Sequence, residues 1–287
     1  MIESKLSSPC LRVLTFNFQL SIFNFLLFNY FLQYKEFILL LFQFKEKYSL
    51  SIINQIQFLD FSIIEFDCVD STMIESKKFP INHVIAARQQ LNGRGKGNRV
   101  WVSEKNNNLY FSLKIKADKK RLDYSQLSFL CGLAMKNAIE KYDKNSNSIL
   151  LKWPNDILIN GKKVCGILLE FDYLLKELII GIGVNVDSFP QTNTIFNATS
   201  LLNEGIEVDR ILLLKDFLFN FKILLEQWIQ NSFSFIREQW LKGAFRLGEK
   251  IKVNEVEGIF EDLDKDGTLI LNTENGILKI KSGDVFV

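Results

Sequence analysis

A chain of 287 residues, 47% of them apolar, is long for a single domain and can bury a substantial core, so one large domain with an appendage or two domains are expected. A net charge of +2 argues against general nucleic-acid binding, so an anion should be met at a local site. Four dispersed cysteines (Cys10, Cys68, Cys131, Cys165) with no CxxC spacing, and His83 as the one histidine, exclude a ready zinc site or a Ser-His-Asp machine. They point instead to a reducing, cytoplasmic compartment.

Residues 1–57 carry eight charged residues, no glycine and nine of the 26 phenylalanines, unlike the ordinary globular text that follows. The uncharged run 13–34 is long enough to span a membrane. Five amides interrupt it (Asn17, Gln19, Asn24, Asn29, Gln33), and no small-residue cleavage site follows, so neither an anchor nor a signal peptide is expected. This segment is kept as a Phe-rich N-terminal extension of open status, compatible with a start site placed too far upstream.

Beyond it, FSIIEFD (61–67) alternates as a strand and ends at Asp70-Ser71-Thr72, whose short polar side chains start helices well. VIAA (84–87) and LYFSLKI (109–115) are predicted strands, with a glycine-rich connection between them. A D-x-x-Q pattern, Asp123 and Gln126, predicts the cap of a helix reading LSFLCGLAMKNAIEKY. ILLKW (149–153), ILI (157–159), VCGILLEF (164–171) and ELIIGIGVNV (177–186) are predicted strands, the middle pair joined by the hairpin signal Asn160-Gly161. A long helix from Asp209 through RILLLKDFLFNFKILLEQWIQN follows, with Trp228 and Trp240 assigned to the core. Short strands with turns at DKDG (264–267) and ENG (274–276) close the chain as a small β-barrel. DLDKDG begins like an EF-hand loop, but Thr273 stands where a bidentate Glu is required, so a turn is expected there.

Two segments carry chemistry. In QLNGRGKGNRVW (90–101) no Lys-Ser/Thr pair follows the glycines, which excludes a P-loop. Asn98 replaces the last glycine of a dinucleotide fingerprint. Backbone amides freed by Gly93, Gly95 and Gly97 can approach an anion, Arg94, Lys96 and Arg99 can neutralise it, and Trp101 can cover a flat ring. The bland alternative is a solvated basic loop. In LKWPNDILINGKKVCGILLE (151–170), Lys152, Asn155, Asp156 and Lys163 cluster around two strand ends and a hairpin, where a lysine can polarise a carboxylate or α-phosphate and an aspartate can hold Mg²⁺ through water. A plain hairpin with exposed lysines is the alternative.

These motifs resemble the biotin protein ligase family. GRGKGNRVW is similar to its biotinyl-adenylate loop, and KWPNDILINGKKVCGILLE to its most characteristic block, while DSTM (70–73), NLYFSL (108–113) and GIGVNV (181–186) follow in family order. The resemblance covers about residues 60–287. It implies an α+β chain, with a mixed-sheet catalytic domain over 58–242 and an SH3-like C-terminal β-barrel over 243–287. The implied enzyme is an ATP-dependent biotin–[biotin carboxyl-carrier protein] ligase using ATP, Mg²⁺ and biotin. Biotin is activated as biotinyl-5′-AMP and passed to a lysine of the carrier protein of acetyl-CoA carboxylase.

Carried over by position, Ser71, Thr72 and Gln90 match biotin contacts. Arg94, Gly95 and Lys96 match the part that closes over the biotin carboxylate and α-phosphate, where Lys163 holds the same oxygens. Gly166 allows close approach of the ligand. Gly93, Arg99, Trp101 and Asn185 fall on the nucleotide side, with Trp101 packing near adenine. Lys163, Arg94 and Asp156 are the catalytic candidates, Asp156 for Mg²⁺ or for positioning the incoming lysine. Lys96 stands where the family usually has Arg, and Met73 replaces a more usual polar residue. The family's optional DNA-binding domain has no recognisable counterpart, so no nucleic acid and no repressor function are expected. A membrane partner is not expected either, and a homodimer stays open. A lipoate ligase would show an Arg-Arg-x-x-Gly-Gly-Gly motif and a His-Asp pair, both missing here, and a biotin-binding module without turnover is the rival from another class.

Overall fold

The computed structural model describes residues 52–97, 99–103, 105, 107–116, 124–172, 175–191 and 197–286. The hydrophobic run 13–34, Cys10 and the expected cap Asp123 lie outside the described residues. An eight-stranded sheet is built in the order β1-β2-β3-β4-β8-β7-β6-β5, from β1 (Ile52–Phe58), β2 (Phe61–Val69), β3 (His83–Gln90), β4 (Leu109–Lys116), β5 (Ile149–Lys152), β6 (Asp156–Ile159), β7 (Lys162–Asp172) and β8 (Glu177–Val184). β2 and β3 pair in parallel, and the pairs from β3 through β4, β8, β7 and β6 to β5 are antiparallel. The sheet is therefore mixed. A parallel pair needs a crossover, which the segment carrying the short helix α1 (Thr72–Ser76) provides.

Side-chain alternation sorts the sheet into two faces. Leu109, Phe111 and Leu113 of β4 and Ile180, Ile182 and Val184 of β8 enter one large core with helices α2 (Gln126–Glu140) and α3 (Arg210–Lys242). Their alternates, Ser112, Gly181 and Gly183, fall on the opposite face, where α1 packs against β3, β4 and β8. A lining of glycine and serine opens space there.

Two elements depart from the sequence reading. β1, IINQIQF, has no fully buried side chain, so its weak alternation escapes notice, and it forms as an edge strand beside β2. The long helix starts at Asp209 as expected, and there Asp209 caps it by accepting from the Ile211 and Leu212 amides at 2.9 Å. It breaks at Ser232 (φ 60°, ψ −170°), just past the expected end at Asn231, and a second helical piece continues to Lys242.

The C-terminal strands β9 (Lys250–Val253), β10 (Val256–Leu263), β11 (Leu269–Thr273), β12 (Gly276–Ile280) and β13 (Val285–Phe286) form an antiparallel sheet ordered β12-β11-β10-β9-β13. It shares the main core. Phe260, Leu269 and Leu271 join the cluster containing Phe129 and Trp240, and Trp153 Nε1 donates to Gly267 O at 3.1 Å. The DKDG segment is a turn, closed by Gly267 N donating to Asp264 O at 3.0 Å, and Trp228 and Trp240 are buried.

Candidate active site

A cavity of about 320 Å³ lies on the glycine face, between the sheet, α1 and the glycine-rich connection. At one end, Thr72 Oγ1 lies 2.8 Å from Ser112 Oγ and 3.0 Å from Gln90 Oε1, which also accepts from the Thr72 amide at 2.8 Å. Gln90 Nε2 donates to Ser103 Oγ at 2.9 Å, tying α1 to the far side of the loop. Ser71 Oγ is buried with no hydrogen-bond partner among the described residues, which marks it for a polar ligand group. Met73 supplies an apolar wall over Gly181, where a Cβ would come within 2.7 Å of its sulfur.

The middle of the floor is formed by Gly166 and Gly183, paired across β7 and β8. Trp101 lies on both: a Cβ at Gly166 would sit 2.7 Å from its Cζ3, and one at Gly183 2.5 Å from its Nε1. That buried indole N–H has no partner among the described residues. The glycines are needed because an aromatic ring occupies the space of their side chains.

Lys163 reaches this floor through an irregularity. Ile157 pairs with Cys165, but Leu158 pairs with Lys163, so Val164 is an extra residue in β7. Without that bulge Lys163 would share the core face of Cys165; with it, the side chain turns to the side of Gly166. Its Nζ lies 2.7 Å from Asp156 Oδ1 and 5.4 Å from the Trp101 ring centroid, within cation–π range. Lys152, paired with Asp156 across β5 and β6, is buried nearby. Burial lowers its ammonium pKa to about 8, attraction by Asp156 opposing the shift and repulsion by Lys163 adding to it.

The remaining cations belong to the glycine-rich connection. Arg94 makes a two-point pair with Glu170 of β7, at 2.7 and 3.0 Å. Its guanidinium ties the loop to the sheet at the edge of the cavity, which Arg94 also lines. Lys96 donates to Gly283 O at 2.6 Å, and Arg99 pairs with Asp284 at 3.2 Å. Burial lowers the Lys96 ammonium pKa, partly offset by attraction from Asp284. Gly95 lines the cavity, its amide donating to Arg99 O at 2.9 Å. Gly93 lies outside the lining: Trp101 N donates to its carbonyl at 2.9 Å, and a Cβ there would collide with the Trp101 carbonyl, so it closes the loop. Asn185 lines the far wall, but its amide donates to Thr199 O at 3.0 Å, a bond that shapes the wall.

Residues 65–186 match the model of the Biotin/lipoate A/B protein ligase family, and residues 247–287 match the Biotin protein ligase C terminal domain. The first match leaves biotin and lipoate open; the second selects biotin. The biotin–[acetyl-CoA-carboxylase] ligase of Paracoccus denitrificans is 33% identical over 214 residues, covering 70% of this chain and 89% of the relative. This chain belongs to the biotin protein ligase family. The solved biotin protein ligase of Aquifex aeolicus, in complex with biotin and ATP, superposes with a TM-score of 0.70 at 31% identity, covering 78% of this chain and 97% of that one. That of Leishmania major, in complex with biotinyl-5-AMP, gives 0.53 at 25% identity, covering 77% and 98%.

Several residues that shape the site of this ligase are not evident as site residues from sequence. Glu170 holds Arg94, and Asp284 holds Arg99, across 76 and 185 residues of chain. Asn108 is recognisable only as the start of NLYFSL. Its side-chain Oδ1 accepts from the amides of Val186, Asp187 and Ser188 at 2.8, 2.9 and 3.2 Å, folding the chain past Asn185. Asn155, by contrast, stands in the cluster that the sequence marks, and it donates to Ile167 O at 2.6 Å and lines the cavity beside Asp156.

Proposed function

We infer that this ligase activates biotin with ATP and transfers it to a lysine of a biotin carboxyl carrier protein. What supports this most is the two-ended cavity, with hydroxyls and the Met73 wall at one end and Lys96, Arg99 and Lys163 at the other, bridged by Trp101. Ser71, Thr72 and Gln90 are assigned to the polar head of biotin, with the unpartnered Ser71 hydroxyl as its main contact. Trp101 and Arg99 are assigned to the nucleotide, and Asn185 to shaping the nucleotide wall.

In the first half-reaction a biotin carboxylate oxygen bonds to the α-phosphorus as the bond to the β-phosphate oxygen breaks, releasing pyrophosphate. Negative charge accumulates on the α-phosphoryl oxygens, where Lys163, held by Asp156 and Trp101, supplies a preorganised cation. Lys96 adds a point charge from the loop, and Gly95 and Gly166 leave room for the backbone to approach. Arg94 acts through Glu170 as an anchor. In the second half-reaction the carrier amine bonds to the acyl carbon, AMP leaves with the C–O electron pair, and the amine gives up its proton. No covalent enzyme intermediate is required.

Mg²⁺ would arrive on the ATP phosphates and spread their charge. Asp156 is the carboxylate in the cavity lining with the oxygen chemistry such a hard cation takes. We assign the chain to the cytoplasm, in keeping with the free thiols Cys68, Cys131 and Cys165. No helix among the described residues is long and apolar enough to cross a membrane. Pyrophosphate release from Mg-ATP, measured with biotin, with lipoate and with no acid, tests the activation step. Stimulation by biotin alone is expected; stimulation by lipoate instead would reassign the cavity, and a folded protein that binds biotin without release would be a binding module.

A further inference from the structure

The two loop cations at the nucleotide end are only partly exposed, and both are held by the C-terminal sheet. Lys96 Nζ donates to Gly283 O at 2.6 Å and stands 3.7 Å from Asp284. Arg99 meets both carboxylate oxygens of Asp284, at 3.2 and 3.3 Å, and its Nε donates to Lys96 O at 3.0 Å. One carboxylate thus restrains two cations and, through them, the outer limb of the loop.

Asp284 stands on fixed ground. It leads into β13, whose Val285 pairs with Val253 of β9, and Asn254 Nδ2 donates to Ser282 O at 3.3 Å just before it. The sheet carrying it is bolted to the catalytic half by Trp153 on Gly267 and by Arg237, whose Nε donates to Leu263 O at 2.6 Å. Among its described residues, the loop's backbone ties include Gly95 N to Arg99 O, Trp101 N to Gly93 O and Gln90 N to Ser103 O. A carboxylate at a polyphosphate end repels the nucleotide, so its position needs another reason. Lys96, Arg99, Lys152 and Lys163 still outnumber Asp156 and Asp284, leaving net positive charge for phosphate.

We propose that Asp284, with the Gly283 carbonyl, is a latch: a positioning residue of the C-terminal domain that draws the glycine-rich loop shut over the cavity. A polyphosphate competes for Arg99 while it is bound. Once pyrophosphate leaves, Asp284 takes back the two cations and the loop closes over the acyl adenylate until the carrier lysine arrives. The identity of the retained intermediate rests on the ligase reading above; the latch itself does not.

Two measurements on the full chain test it. Hydrogen exchange without ligand should show the Gly95 and Trp101 amides exchanging faster in Asp284→Asn than in wild type, with Asp284→Glu restoring protection. Release of biotinyl-AMP should accelerate about 5-fold in Asp284→Asn, the scale set by a partly exposed pair. Added salt should speed release from wild type but not from the variant. Glu255→Gln, which removes an exposed carboxylate paired with Lys252 in the same sheet, should change neither measurement. Unchanged loop exchange, or an unchanged off-rate with tighter ATP binding, would overturn the latch and make Asp284 a simple competitor of phosphate. If wild type forms no adenylate the ligase reading fails, and the exchange measurement still decides the latch.

Discussion

Lys163 is the residue to which we assign stabilisation of the reacting phosphate, because a single backbone irregularity brings its ammonium beside Asp156 and Trp101. Lys163→Ala should slow single-turnover adenylation by about 10²–10³, the cost of losing one preorganised donor to a developing oxyanion. An unchanged rate would remove it from the mechanism. Lys152 offers a pH test. Its folded pKa of about 8 lies below the usual 10.5, because burial disfavours the charge. Between those values the unfolded chain holds the extra proton, so this group's contribution to stability rises with pH from about 8 to 10.5, and below that window the buried charge is a cost. The same loss of charge weakens attraction for phosphate. ATP affinity should therefore decline as pH rises through about 8 in wild type and show no such step in Lys152→Met, as measured by calorimetric titration.

At the scale of elements, β8 shows how a strand pattern makes a floor. GIGV puts Ile182 and Val184 into the core and Gly181 and Gly183 under Met73 and Trp101. Gly183→Ala should push the indole off the floor and cost about tenfold in ATP affinity, as overpacking does, while biotin affinity at the Met73 end holds. Equal ATP affinity would place the nucleotide elsewhere. Much of this was legible in sequence because it is local: the strand alternations, the Asn160-Gly161 hairpin, the start of the long helix at Asp209 and the glycine-rich connection each announce themselves within a few residues. The Val164 bulge was not, since period-two counting along β7 sends Lys163 to the wrong face. β1 was not, since an exposed edge strand needs no apolar alternation. Arg94 and Arg99 were visible as cations, but their partners Glu170 and Asp284 are distant in sequence and nothing local points to them.

At the scale of the whole molecule, the C-terminal sheet shares the core of the catalytic half and touches the glycine-rich loop. Phe129 packs edge-on against Phe233 and Trp240. Its ring also lies beneath Gly267, whose φ of +88° and lack of a Cβ let the DKDG turn sit directly on it. With Phe260 and Leu269 in the same core, the described halves have a common interior, and the turn into β13 reaches across to the glycine-rich loop. The central claim about this ligase concerns transfer of biotin to its carrier. The most direct measurement is the intact mass of a biotin carboxyl carrier domain after incubation with this ligase, biotin and Mg-ATP. One biotinyl group on the acceptor lysine is expected, lost when ATP is omitted or that lysine is replaced by arginine. An unmodified carrier in a reaction that still releases pyrophosphate on adding biotin would contradict the assignment of transfer to this chain.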